Sequence, residues 1–325
     1  MMSGRHVRGG VLALGMAIGV SLVAREECRG GQDRLAEAVA KHKIPPEWFK
    51  DVALDYGTSK PWKEAWKDVT DLLNEGGPKA KRGIRILYEY AEKKGHRPDG
   101  YPFFLMLGGE PLWAASIFLE QAKRRPAGFT EMYINLASLY LRYGEGRKAL
   151  DLLHDALQRP PRRPWDTFHK AKINDKLGDA YAATGEKEKA IEHYRTAIEL
   201  FPKAELRKGR HLLPRYARKT EAKIELLTRD ALSFARVPDG IHRGNSIGFG
   251  GPLNVDVTVK SGRVVDIKVE HKERIDQGAT KIAPRQIIER QKLELDAITG
   301  ATVTVQAVVE ATYRALSEAG ARSSP

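Results

Sequence analysis

The most restrictive feature of this chain is a spacing that occurs twice. Leu136, Ala137, Tyr140, Gly144, Ala149, Leu153, Ala156 and Pro161 recur at the same offsets as Leu177, Gly178, Tyr181, Gly185, Ala190, Tyr194, Ala197 and Pro202. Ala115, Leu119 and Ala122 stand 34 residues before Ala149, Leu153 and Ala156, as the trace of a third unit. Each unit reads as helix, glycine turn, helix, with small residues where the helices touch and bulky ones between. Such a pair cannot bury its apolar face alone, so the units must stack on one another. The two clear units are offset by seven residues more than the repeat length, and Pro160-Pro161-Arg162-Arg163-Pro164-Trp165 accommodates them.

This pattern resembles the tetratricopeptide repeat, which implies an all-α solenoid over residues 76–222 with a concave side that docks another protein. Residues 32–75 read as short helices leading into it (RLAEAVAKH, WFKDVALDY, WKEAWKDVTDLLNE), with Trp48, Trp62 and Trp66 as core or packing aromatics. A long basic helix from Ala204 to Arg236, containing Pro214, is expected to cap the array, with 223–237 as a linker. The net charge is +13, and residues from Pro238 onward hold twelve Lys and Arg against eleven Asp and Glu, so the first 237 residues carry +12 of it. A basic surface suits an acidic protein or anionic lipid. No helix-turn-helix, zinc-finger or RNP-like pattern appears, so no nucleic-acid partner is expected.

After Pro238 the composition changes. A turn-rich stretch, Pro238 to Pro252, holds Gly248, Gly250 and Gly251, whose missing side chains free the backbone. Apolar and polar residues then alternate from Leu253 to Val259 and from Val264 to Val269 around Ser261-Gly262, which predicts a β-hairpin. A short helix is expected near Ile282 to Arg290, and another from just after Thr302, with Val308, Ala311, Ala315 and Ala319 on one face. Backbone N–H groups at the start of that last helix favour a phosphate.

The run Asp296-Ala297-Ile298-Thr299-Gly300-Ala301-Thr302 resembles the flavin-attachment motif of the FMN-binding domain family, found in covalently flavinylated subunits of sodium-pumping NADH:quinone reductases and Rnf-type complexes. The resemblance covers roughly Pro238 to Gly320 and implies a small α+β FMN-binding domain over 238–322. It implies that Thr302 carries FMN as a phosphoester, attached by a separate flavin transferase that uses FAD and magnesium. Asp296, Thr299, Gly300 and Ala301 would form the recognition strip, and Gly250, Gly251 and Pro252 would lie near the isoalloxazine. Two departures stand out: Val305 where the family often has Ser, and Arg274-Ile275 after His271-Lys272-Glu273 where it has Thr-Pro.

Arg5 and Arg8, the uncharged run Val11 to Ala24, and Arg25-Glu26-Glu27 have the order of a secretory signal, which makes residues 1–27 a signal peptide or N-terminal anchor. The run is short for a membrane span. Export to the periplasm, or anchoring facing outside the cytoplasm, is therefore expected. Cys28 is the single cysteine, so neither an intrachain disulfide nor a thiolate metal cluster can form, and no metal or catalytic residue is expected. The resulting expectation is an exported electron-transfer flavoprotein, rather than a stand-alone oxidoreductase, whose repeats dock a redox partner. Two alternatives stay open: a repeat scaffold whose FMN-binding-like domain is not flavinylated, and a flavin-dependent reductase acting on a small substrate.

Overall fold

The structure is a computed structural model and describes residues 33–57, 59–93, 100–124, 127–206, 209–228, 232–248, 250–273, 279–293 and 302–321. The chain is mostly helical, with a small three-stranded antiparallel sheet near its C-terminal end. The described helices are α1 (Arg34–Lys41), α2 (Trp62–Glu75), α3 (Gly77–Lys93), α4 (Tyr101–Leu107), α5 (Pro111–Lys123), α6 (Thr130–Arg142), α7 (Gly146–Leu157), α8 (Asp166–Ala183), α9 (Lys187–Leu200), α10 (Leu213–Thr228), α11 (Ala279–Arg290) and α12 (Thr302–Leu316).

From α5 to α10 each helix packs against the next, and α6 also packs against α8, so the repeated spacing does give stacked neighbours. The repeat residues behave as their sizes demand. Ala137, Ala149, Ala156, Ala190 and Ala197 are fully buried at the contacts. Gly178 lets α9 close on α8, because a Cβ there would sit 2.3 Å from the Tyr194 ring. The turns after α6 and α8 end on Gly144 and Gly185 at positive φ, 72° and 82°, which a side chain would disfavour.

Three local expectations are corrected. WFKDVALDY makes only a 3-10 turn, Glu47–Asp51, because Val52 adopts an extended conformation. Trp66 is not core; it is half exposed on α2, whose buried stripe is Ala65, Val69 and Leu73. The capping helix is shorter than expected: Ala204 is extended, Gly209 has φ 80°, and Pro214 sits in the first turn of α10, where its missing N–H costs nothing.

The sheet has the order β1-β2-β3, from β1 (Gly240–Ile247), β2 (Pro252–Lys260) and β3 (Arg263–Glu270). The hairpin lies where the alternation put it, with Leu253, Val255, Val257 and Val259 buried on one face. β1 was not expected. It occupies the stretch read as turn-rich and pairs with β2 throughout, Gly240 with Val259 to Ile247 with Pro252. α11 and α12 cover the buried face, and Val308, Ala311 and Ala315 of α12 are buried against it.

Candidate functional site

Two segments of this small domain approach each other between β1 and the end of β3. Gly248 N–H donates to the Gly251 carbonyl at 2.8 Å, closing the turn between β1 and β2. Gly250 N–H donates to a Glu273 carboxylate oxygen, Oε2, at 2.8 Å. The His271-Lys272-Glu273 strap lies directly over the glycines: a Cβ on Gly248 would stand 1.9 Å from Glu273 Oε1, and one on Gly250 would stand 2.3 Å from the Lys272 carbonyl oxygen. At Gly248 and Gly250, then, the space left by absent side chains is filled by the chain itself. Gly251, at φ 141°, faces open space, and Pro252 begins β2. Glu273 Oε1 is buried and has no hydrogen-bond partner among the described residues. His271 Nδ1 accepts from the Glu273 N–H at 3.1 Å and so shapes the strap.

Thr302 is the first residue of α12. The order of contacts shows where that end points. A Cβ on Gly244 would lie 2.0 Å from the Ala311 carbonyl oxygen and 2.8 Å from the Ala315 nitrogen. Arg314 donates to the Asn245 carbonyl at 3.2 Å, and Ser246 Oγ donates to Glu310 Oε2 at 2.6 Å. Moving back along α12 from Ala315 to Glu310 thus moves forward along β1 from Gly244 to Ser246, toward the glycine turn. Eight further residues of helix, about 12 Å, carry α12 from Glu310 to Thr302 in that direction. Asp296, Thr299, Gly300 and Ala301 lie outside the described residues, as do residues 1–27 and Cys28.

Charged residues missed by the sequence reading join this domain to α10. Arg314 pairs with both Glu310 and Glu225, the latter at 2.5 Å, and Arg218 approaches Glu225 at 3.5 Å. Arg218, Glu310 and Arg314 line a small cleft together with Ala222, Asn245, Ser246 and Ile247. Burial raises the Glu310 carboxyl above its ordinary range, and the Ser246 hydrogen bond and Arg314 charge offset this only in part. Burial acts in the same direction on Glu225, but there the Arg314 hydrogen bond and charge outweigh it and hold that carboxyl low. The signal for Glu310 was present in the sequence as a single acid within the otherwise apolar face of VTVQAVVEATYRAL. Nearby, burial pushes Lys219 of α10 down to about 8; Lys172, Lys223 and Arg215 act in the same direction, while the Glu273 charge opposes them. Among the described residues no three potential metal ligands cluster, and no helix is long and apolar enough to cross a membrane.

Residues 248–317 match the family model of the FMN-binding domain, and residues 171–204 match that of the tetratricopeptide repeat. The fusion expected from the two motifs is therefore the one found. An NADH:acrylate oxidoreductase of Vibrio harveyi is 37% identical over 79 residues, which is 23% of this chain and 8% of that protein. The chain thus spans less than a tenth of the length of this relative. No solved structure matches.

Proposed function

We propose that this chain is an exported flavoprotein that carries FMN covalently on Thr302 and transfers electrons, with its helical half docking a redox partner. The FMN-binding domain and its partial likeness to an oxidoreductase indicate a flavin-linked electron-transfer role. The observation that carries the finer reading is the position of Thr302 at the first turn of α12, the end that runs toward the glycine turn. Free N–H groups there stabilise a phosphodiester.

The described residues fit the group. Glu273 Oε1 is a buried acceptor without a donor beside a turn lacking side chains, which suits a ring imide N–H. A side chain at Gly251 would meet nothing within 4 Å, and Pro252 beside it is exposed. In the attachment step the Thr302 hydroxyl attacks the flavin-side phosphorus of FAD, its proton is lost and AMP leaves, so the polypeptide gains one FMN less one water. Bound flavin supplies one- and two-electron transfer. The protein holds the cofactor and sets its exposure, and a covalent link retains it outside the cytoplasm, where free FMN would diffuse away.

On this reading residues 1–27 direct export, 76–222 form a complete repeat solenoid and 238–322 form the flavin domain, which a separate flavin transferase modifies through Asp296, Thr299, Gly300 and Ala301. The test is intact mass after co-expression with a flavin transferase. The expected gain is one FMN less one water, abolished in Thr302→Val, with in-gel flavin fluorescence lost in parallel. An unmodified wild-type chain purified from its own compartment would leave the bare scaffold in its place.

A further inference from the structure

The three connections between helix pairs, α5 to α6, α7 to α8 and α9 to α10, lie side by side at one end of the helical half. Gly128 N–H donates to the Arg159 carbonyl at 3.1 Å, and Thr130 Oγ1 meets His169 Nδ1 at 2.7 Å, so the first connection is tied to the second. A Cβ on Gly128 would stand 2.8 Å from Pro161. Phe201 packs on Phe168 of the first turn of α8, ring centroids 6.3 Å apart, and stacks on Tyr216 of α10 at 5.3 Å, which brings the third connection alongside.

The chemistry of this end is one-sided. The described residues within 123–130, 158–165 and 201–212 include seven Lys or Arg and a single acid, Glu205. The opposite end, where α6 turns into α7 and α8 into α9, is mixed: Glu145 and Glu186 are paired there with Lys148 and Lys189. Lys123 and Arg159 pair with Glu120 and Asp155 on the preceding helix turns, whereas Arg124, Arg162 and Arg163 are exposed and form no ion pair among the described residues. The same connections carry two large aromatic side chains facing solvent, Phe129 at 54% exposure and Trp165 at 46%.

We infer that this end is a docking face for an anionic lipid surface. Three observations favour a bilayer over an acidic protein or a nucleic acid. The face is made of adjacent connections tied edge to edge rather than of a groove between helices. Arg124, Arg162 and Arg163 have no acidic partner among the described residues, so they are available to a layer of negative headgroups, each contributing about 1 kcal/mol near such a surface. Exposed Trp and Phe beside Arg are the pair suited to the boundary between headgroups and acyl chains, where an aromatic body is buried and cations remain wet.

The experiment is sedimentation of the full chain with vesicles of phosphatidylcholine alone and of phosphatidylcholine with phosphatidylglycerol. Any binding through residues 11–24 appears with both, so the increment due to phosphatidylglycerol is what is read. Arg162→Gln with Arg163→Gln is expected to lower that increment about 30-fold, as two charges at about 1 kcal/mol each require, and 0.5 M salt, roughly a 4 Å screening length, should abolish it. Brominated acyl chains are expected to quench part of the tryptophan emission in the wild type and none of that part in Trp165→Phe. An increment unchanged in the double variant overturns the proposal. So does tight binding to generic duplex DNA or an acidic polypeptide with no quenching by lipid. The outcome does not depend on whether Thr302 carries flavin.

Discussion

The helical half and the flavin domain both rely on a glycine to bring two elements into contact, but the two glycines face different neighbours. Gly178 in α8 admits the ring of Tyr194, and Gly244 in β1 admits the backbone of α12 at Ala311 and Ala315. A side chain can turn aside at some cost, whereas a helix backbone can yield only by moving the whole helix. The same contrast appears in the buried charges. In the helical half Lys223 is enclosed with Asp175 and Asp179 at 2.8 Å each, a closed set in which charges compensate. At the flavin domain Arg314 is shared by Glu310 and Glu225, and Arg218 reaches Glu225 as well, so Glu310 has only a shared guanidinium among the described residues. The helical half is closed against change in its charges, and the flavin domain is closed in its backbone.

The largest effect should come from breaking the closed charge set. Lys223→Met keeps the stem and removes the ammonium, leaving the partly buried Asp175 with the Thr220 hydroxyl and Asp179 with Lys176 and the Tyr194 hydroxyl. We expect a loss of about 3–5 kcal/mol, read by urea unfolding. All five tryptophans, Trp48, Trp62, Trp66, Trp113 and Trp165, lie in the helical half, so tryptophan emission reports that half. An unchanged urea midpoint would refute the claim that this lysine compensates the two acids. Next is Gly244→Ala, which forces Ala311 and the helix behind it away from β1. A cost of about 3 kcal/mol is expected, with amide exchange of residues 240–247 accelerated while tryptophan emission still reports a folded helical half. Gly178→Ala should cost less, about 1–2 kcal/mol. Its limit is set by the Tyr194 hydroxyl, which donates to Asp179 at 2.9 Å and resists displacement of the ring. If Gly178→Ala were the costlier of the two, the distinction between ring and backbone would be wrong.

Where the sequence was legible, the reason was a local period. The repeat offsets placed Ala149, Leu153 and Ala156 at helix contacts, and the alternation Leu253 to Val259 gave a strand with its apolar face inward. The start of α12 at Thr302 followed from the same kind of pattern. What was not legible depended on residues distant in sequence. β1 contains Gly240, Gly244, Asn245 and Ser246, which favour turns locally; pairing with β2 and the press of α12 make it a strand. The glycines at 248 and 250 looked like room for a ligand, yet Lys272 and Glu273, more than twenty residues on, fill that room. The long helix from Ala204 failed at Gly209, whose left-handed conformation allows a new start just before Pro214.

The smallest predicted effect tests the open charge set. Folding raises the Glu310 carboxyl above its unfolded value of about 4.5, because burial disfavours the charge. Between those two values the folded chain holds a proton that the unfolded chain has lost, so stability falls as pH climbs through that window and is level above it. Glu225 is lowered by Arg314, so its contribution is lost as pH falls from about 4.5, on the other side of that value. The two windows do not overlap. Glu310→Gln retains an acceptor for the Ser246 hydroxyl at nearly the same shape. We expect it to shift stability at pH 7 by about 1 kcal/mol or less and to remove the decline above pH 4.5. Burial holds the His169 and His193 imidazoles below their ordinary value of 6.5 and so adds a rise with pH over the same range. The difference in urea midpoint between the wild type and Glu310→Gln, at half-unit steps from pH 4.5 to 7, isolates the Glu310 contribution. A decline that persists in Glu310→Gln would assign the raised proton affinity to another group and leave the shared guanidinium without the role argued for it.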